Sequence, residues 1–261
     1  MRTLESLDSP DTSWVPKETG QDEPPHQPAR NSLNNEPYYS RVLLKVTGEA
    51  FSTGERVRFL ANEIRTAADS GCELAVVVGG GNIIRGEQTK LIDRVSADQA
   101  GMVATIVNAL ILERVLQEVG IAARHYGALE VAGVVPRFSA REVRDTLARG
   151  EVVVLSGGTG NPLFSTDTAA ALRAREVEAQ VILKGTKVRG VFSDDPRRNP
   201  KARFLSRVSY DEALRRHLRV MDQTAFSLCA ESRIPIVVFQ LFKKGNLARV
   251  IKGEDTGSRI C

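Results

Sequence analysis

Two stretches of this chain run from a short aliphatic block straight into glycines, and that combination restricts the fold more than any other feature. Glu73 to Val78 breaks at Gly79-Gly80-Gly81-Asn82, and Val152-Val-Val-Leu155 breaks at Ser156-Gly-Gly-Thr-Gly-Asn-Pro162. A block that is apolar at successive positions reads as a strand buried on both faces, the pattern of parallel strands sandwiched between helices. Glycine runs of this kind stop a strand. Beyond Pro162, Thr166 is expected to cap an alanine-rich helix over residues 167–178. The positive end of that helix then faces whatever lies above the sheet. An anion is the natural guest, and a bare chain-reversing turn is the alternative.

The same alternation continues along the chain. Residues 41–46 read as a strand with Lys45 near its C-terminal end, where α/β sheets bind ligands, and Thr47-Gly48-Glu49-Ala50 leaves it through a turn. Val57, Leu60, Ile64 and Ala68 recur at helical spacing. Three glycines after residues 75–78 allow a phosphate to approach the backbone, with Arg85 beyond them as a fork of donors. A long helix is expected over 96–119. Met102, Ile106 and Leu110 mark one face and Val103, Val107 and Ile111 an adjacent one, so the stripe is wide enough for a deeply buried helix or one shared with a second subunit. Asp98 near its start reads first as a cap and second as a partner for a ligand hydroxyl.

Short strands are expected over 121–126 and 131–135, and capping boxes at Ser139–Glu142 and Ser209–Glu212. A strand over 180–184 leads into a loop, 185–196, that mixes Thr186, Lys187, Phe192 and Asp195 as a nucleotide triphosphate site would. A helix over 222–233, a strand over 235–239, a short helix and an edge strand complete the pattern. Strands alternating with helices argue for an α/β fold with a mostly parallel sheet covered on both faces.

Composition narrows the function. The 261 residues carry a formal charge of +4, but residues 1–37 hold three basic and seven acidic side chains, leaving 33 and 25 in the remainder. The basic remainder suits anionic ligands such as nucleotides more than nucleic acid, since no helix clusters its arginines. Six of the eleven prolines fall in residues 1–37, which therefore read as a disordered tail preceding one domain over 38–261. Cys72, Cys229 and Cys261 are widely spaced and lack histidine neighbours, so neither a disulfide framework nor a zinc site is indicated. The longest apolar run, 100–112, is short for a membrane span, and the first residues lack an apolar export core, so a cytoplasmic enzyme is expected. His125 and His217 are isolated, and no serine or cysteine nucleophile stands beside a base. Neither glycine loop fits the P-loop or dinucleotide pattern.

The segments VLLKVTGEAF, VVVGGGNIIRG, DQAGMVATIVNAL, VVVLSGGTGNPLFSTDTAA, LKGTKVRGVFSDDP and VMDQTAFSLC, in this order, resemble the bacterial UMP kinases of the amino acid kinase family from about Arg41 to Ile260. The resemblance implies a three-layer α/β/α sandwich and Mg²⁺-dependent transfer of the ATP γ-phosphoryl group to UMP in pyrimidine nucleotide synthesis. For that transfer Lys45, Lys184 and Asp167 are the expected catalytic residues: the lysines, ending facing strands, would clamp the moving group from two sides, and Asp167, at a helix N-terminus, would orient the lysines or Mg²⁺. ATP would be held by Lys45, Val46, Thr47, Gly48, Gly81, Arg85, Thr186, Phe192 and Asp195, in the C-terminal part of the domain together with these loops. UMP would be held by Gly80, Asp98, Thr159, Gly160, Asn161, Pro162, Leu163, Phe164, Ser165 and Thr166, largely in the N-terminal part. A homohexamer and UTP as a feedback inhibitor are further implications.

Some positions depart from the pattern of that family. Only Ser52-Thr53-Gly54-Glu55 follow Phe51 where a longer glycine-rich loop is usual, so a weak response to GTP is expected. Arg189 replaces a usual acidic residue, Gln99 a histidine and Gln240 an asparagine. A relative of the same fold that binds nucleotide without turnover, as a storage or regulatory protein, is the alternative, and the retained lysines argue against it.

Overall fold

The computed structural model describes residues 37–85, 91–194, 196, 198–216, 218 and 220–261. The expected tail up to residue 36, with Trp14, lies outside the described residues, as do Asp195 and His217. In chain order the elements are β1 (Arg41–Val46), α1 (Gly54–Ala68), β2 (Glu73–Val78), α2 (Arg94–Glu118), β3 (Ala123–Gly127), α3 (Ala140–Ala148) and β4 (Val152–Ser156). Then come α4 (Thr166–Glu176), β5 (Val181–Thr186), β6 (Val191–Phe192), β7 (Phe204–Leu205), β8 (Arg207–Val208) and α5 (Tyr210–Arg215). The chain ends with α6 (Gln223–Glu231), β9 (Ile236–Gln240), α7 (Asn246–Ile251) and β10 (Gly257–Ile260).

Eight strands form one sheet in the order β3-β4-β2-β1-β5-β9-β10-β8, and β6 and β7 form a separate hairpin. The pairings from β3 to β9 are all parallel, while β10 runs antiparallel to β9. β10 was expected at the edge, but β8 pairs with its outer side. Because side chains alternate across a strand, Val42, Leu44 and Val46 of β1 pack under α1, α2 and α7. Leu43 faces the opposite layer of α3, α4, α5 and α6. The fold is therefore a three-layer α/β/α sandwich. Lys45 shares the face of Leu43, and β1 pairs with β5 in a register that sets Lys45 beside Lys184. The two lysines thus stand side by side on one face, not on opposing strands as a two-sided clamp requires.

Several local expectations change for identifiable reasons. The turn after β1 winds into a 3-10 helix over Gly48–Phe51. The cap of α4 is Ser165, whose hydroxyl accepts the N–H groups of Asp167 and Thr168, so Thr166 is already helical. Asp93, not Asp98, caps α2. Residues 131–135 make a tight turn in place of a strand: Val131 N–H donates to the Val135 carbonyl, and Gly133 sits at φ 74°. The capping box at Ser139 does not close, because the Glu142 carboxylate accepts the Tyr126 hydroxyl. The one at Ser209 does accept the Glu212 N–H.

α2 has 25 residues and is apolar enough to cross a membrane by length and composition. Here Ala109, Leu112 and Leu116 pack into the core while Val103, Val107 and Ile111 remain 53%, 45% and 44% exposed. The wide stripe divides into an inner seam and an outer apolar face.

At the edge, β3 is covered by side chains from α2. The Glu113 carboxylate accepts the His125 N–H and the Gln117 amide donates to the Ala123 carbonyl. Capping the outward-facing groups of an edge strand blunts it against pairing with another chain. The His125 ring is buried, with Nε2 2.7 Å from Ser156 Oγ, and Nδ1 has no hydrogen-bond partner. Burial lowers its pKa from 6.5 to about 4. The unfolded chain therefore takes up a proton that the folded one refuses, and stability falls as pH drops from 6.5 towards 4, by about 3 kcal/mol in all. Urea unfolding across that range should show this slope, and His125→Asn should flatten it.

Candidate active site

The site is organised by a charge arrangement between two layers. Lys45 and Lys184 are 6% and 8% exposed, and buried ammonium groups are costly unless paired. Asp167, in the first turn of α4, supplies the counter-charge: Oδ1 lies 2.7 Å from Lys45 Nζ and Oδ2 2.5 Å from Lys184 Nζ. Burial raises the Asp167 pKa, but the fields of Lys45 and Lys184 together outweigh it and hold the carboxyl below its ordinary value. For Lys184 the balance is reversed. Desolvation is the largest influence and pulls it down to about 8, against the attraction of Asp167. Lys184 also donates to the Val220 carbonyl. Two cations share one carboxylate beside the N-terminus of α4, with Asp222 adding a weaker attraction on Lys184, an arrangement suited to an anion.

In front of Lys45 lies a cavity of about 360 Å³ lined by Lys45, Thr47, Gly48, Gly79, Gly80, Gly81, Arg85, Asp98, Met102, Thr105, Gly158, Phe164 and Thr166, among others. The fold thus gathers residues from the ends of β1, β2 and β4 and from α2, all at the carboxyl ends of parallel strands. Asp167 and Lys184 are set behind this wall.

The three glycines after β2 serve two purposes. A Cβ on Gly80 would meet the Gly101 carbonyl at 2.7 Å, and one on Gly79 would meet the Gly48 N at 2.9 Å. Those two are required by packing of the loop against α2 and the 3-10 turn. At Gly81 a Cβ would meet nothing nearer than the Arg85 side chain at 3.5 Å, so its bareness is open to a ligand. Gly157 begins the second loop at φ 75°, where a Cβ would lie 2.9 Å from Leu129 N.

Asp98 is not a cap. Its Oδ2 accepts Arg94 Nε at 2.8 Å and the Leu163 N–H at 3.0 Å, which straps the second loop to α2 and holds Leu163 at φ 71°. Phe164 and Thr166 line the cavity, whereas Thr159 and Asn161 bond to each other away from it. Gly160, Pro162, Leu163 and Ser165 do not line it either. The Val46 side chain belongs to the core, and its carbonyl accepts the Gly79 N–H.

Thr47 and Glu49 also line a second hollow of about 340 Å³, with Arg56, Thr186, Lys187, Val188, Pro196, Leu241 and Phe242. Glu49 stands between the two, 3.3 Å from Arg85 and 2.5 Å from Lys187, and Lys187 first of all keeps its carboxyl pKa low. Phe192 is placed in neither hollow; it packs edge-on against Phe204, over which Arg189 also stacks. Cys72 and Cys229 are buried thiols pushed up to about 12, so neither is a nucleophile at neutral pH.

Some residues that build the site carry no sequence signal of their own. Asp222 accepts the hydroxyls of Ser165 and Thr168 while capping α6, and so ties the start of α4 to α6. Thr105 and Asn108 reach the two glycine loops from inside α2. A buried polar residue in an apolar helix was the one available hint.

Residues 40–240 match the amino acid kinase family. The chain is 44% identical over 252 residues, 92% of its length and 74% of the relative's, to the chloroplastic uridylate kinase PUMPKIN of Arabidopsis thaliana. It resembles the crystal structure of UMP kinase from Bacillus anthracis with a TM-score of 0.83 and 33% identity, covering 85% of this chain and 96% of that one. The UMP kinase structure from Ureaplasma parvum gives 0.80 and 32%, covering 85% and 98%.

Removing the shared carboxylate should expose the cost of the lysine pair. Asp167→Asn is expected to lower stability by about 3 kcal/mol. Pyrophosphate should raise its melting temperature more than that of the unsubstituted protein, because the anion restores the missing charge. Equal shifts in both proteins would contradict the charge argument.

Proposed function

We infer that this chain, which belongs to the amino acid kinase family, transfers the γ-phosphoryl group of ATP to UMP, giving ADP and UDP. The observation that carries the reading is the Lys45–Asp167–Lys184 cluster, whose Lys45 lines a cavity shared with Gly158, Phe164 and Thr166 of the GTGNPLFSTD segment. Extensive identity to a uridylate kinase supports the choice of acceptor.

The chemistry fits these residues. A phosphate monoester acceptor is already largely ionised near neutral pH, so its oxygen attacks the γ-phosphorus without a general base, and the bond to the bridging oxygen of ADP breaks. What the protein must supply is alignment and positive charge where three oxygens share the moving group. Lys45, on the cavity wall, contributes that charge directly. Lys184 supports it from the adjacent strand, and Asp167 holds both ammonium groups in place. The exposed backbone at Gly81 and the Arg85 guanidinium take phosphate oxygens, Thr186 and the second hollow receive the rest of ATP, and Asp98, Gly80, Phe164 and Thr166 receive UMP. Asp195, which the family resemblance assigns to ATP, lies outside the described residues.

Mg²⁺ enters with the nucleotide. Among the described residues no three His, Cys, Asp or Glu side chains cluster as a metal cage, and both Asp167 oxygens are engaged by lysines. That donor set would suit an ion held chiefly by phosphate oxygens and water. When bound, the ion neutralises charge on the β- and γ-phosphates.

The outer apolar face of α2, with Val103, Val107 and Ile111, supports self-association, and we propose the dimer step of a homohexamer there. With only Ser52 and Thr53 between the 3-10 turn and α1, the structure leaves little room for a GTP-responsive loop, and a weak GTP response is expected. UTP, sharing the uridine of the acceptor, is the proposed inhibitor. We place the reaction in the cytoplasm, where the three free cysteines stay reduced; the Arabidopsis relative is named as a chloroplast protein.

ADP release should be measured from Mg-ATP with UMP, CMP, dUMP, acetylglutamate and aspartate as separate acceptors. Turnover with UMP is expected, and turnover confined to an amino acid would overturn the assignment. Lys45→Ala should lose most of kcat and keep UMP binding. Because Lys184 is held down to about 8, kcat/KM for ATP should fall as pH rises through that value and its ammonium is lost. Lys184→Arg should move the alkaline limb beyond the measured range.

A further inference from the structure

Thr105 and Asn108 are 2% and 1% exposed on the inner seam of α2. Neither residue favours a helix interior, where alanine or leucine would do better. Nor do they bond only within the helix. Thr105 Oγ1 donates to the Met102 carbonyl at 2.6 Å and accepts the Gly157 N–H at 2.7 Å. Asn108 Nδ2 donates to the Gly79 carbonyl at 2.7 Å and to Asn82 Oδ1 at 2.8 Å, and the Asn82 amide donates back at 3.2 Å.

Gly157 opens the loop that leads to Gly158, Phe164 and Thr166 on one wall of the cavity, and Gly79 opens the loop that forms the other. A Cβ placed on Gly48 would lie 2.5 Å from Gly81 N, so the loop after β2 in turn fixes the 3-10 turn beyond Lys45. Thr105 and Asn108 are three positions apart and therefore neighbours on one helix face. A single rigid helix thus grips both loops by their first residues.

We propose that Thr105 and Asn108 are positioning residues that fix the gap between the acceptor loop and the glycine loop nearest the phosphoryl donor. The assignment of donor and acceptor rests on the reaction inferred above. The two roles separate kinetically. Outside its own helix the Thr105 hydroxyl bonds only to the acceptor loop, so Thr105→Val, which keeps the side-chain volume at the cavity wall, should raise KM for UMP about tenfold and leave KM for ATP unchanged. Thr105→Ser should restore the original value. Asn108 acts on the loop at the junction of the two substrates, so Asn108→Leu should lower kcat about a hundredfold with both KM values little changed.

Kinetic constants are taken per folded enzyme, with folding followed by circular dichroism and melting temperature. If Thr105→Val or Asn108→Leu does not accumulate folded, Thr105→Ala and Asn108→Ala make the same breaks without adding a branched or bulkier apolar group. Variants that melt earlier but keep both KM values and kcat would overturn the proposal, since a merely structural role predicts that result. So would variants in which both KM values rise together. Calorimetric titration keeps this test separate from the identity of the reaction. With an enzyme that turned over no UMP, the kinase reading would fail, while weaker UMP binding by Thr105→Val at unchanged ATP binding would still support the positioning role.

Discussion

Asp167 placed between Lys45 and Lys184 is the contact on which the rest of the molecule depends. Two ammonium groups on adjacent strands, nearly out of solvent, repel each other and each lose hydration, so they persist there only with a carboxylate between them. That requirement dictates much of the fold around it. β1 and β5 must pair in the register that aligns the lysines, and α4 must begin directly above them. The hydrogen bonds of Asp222 to Ser165 and Thr168 then hold the start of α4 against α6. One carboxylate bridges two lysines beside the N-terminus of α4, an arrangement suited to an anion.

Around this charged centre the chain builds walls from backbone more than from side chains. The loops after β2 and β4 are glycine-rich partly because a ligand must approach and partly because the loops lie against other backbone. Gly79 and Gly80 illustrate the second cause and Gly81 the first. Such loops have little rigidity of their own, and here the rigidity is supplied from outside them. α2 grips each loop at its opening glycine, and Asp98 straps Leu163 in a left-handed conformation. A helix that by composition could cross a membrane is in this fold a beam with an apolar outer face and two polar contacts within.

Most of the elements were legible in the sequence because β2, β4, β1 and α1 each carry an uninterrupted period, and the bounds of β1 and β2 agree with expectation to the residue. The misreadings fall where two local signals compete. Ser165 and Thr166 are both good caps, and Asp93 and Asp98 are both acidic residues near one helix start. Val131 to Val135 has strand composition, but Gly133 turns it. Glu142 offered a capping box, yet the Tyr126 hydroxyl claims its carboxylate. Of the cavity-lining residues, Lys45, Gly81 and Arg85 were readable from motif and position, whereas the contacts of Glu49, Thr105, Asn108 and Asp222 were not.

The sequence alone therefore determined most of the strands and helices, that the sheet is mostly parallel and buried, and that glycine loops follow two of its strands, because hydrophobic period and glycine placement are properties of neighbouring residues. It could not determine that Lys45 and Lys184 stand side by side, that Asp167 serves both, or that Thr105 and Asn108 reach across to separate loops. Those relations join residues distant in the chain. They exist only once strand order and register bring them together, where burial makes an unpaired polar group costly.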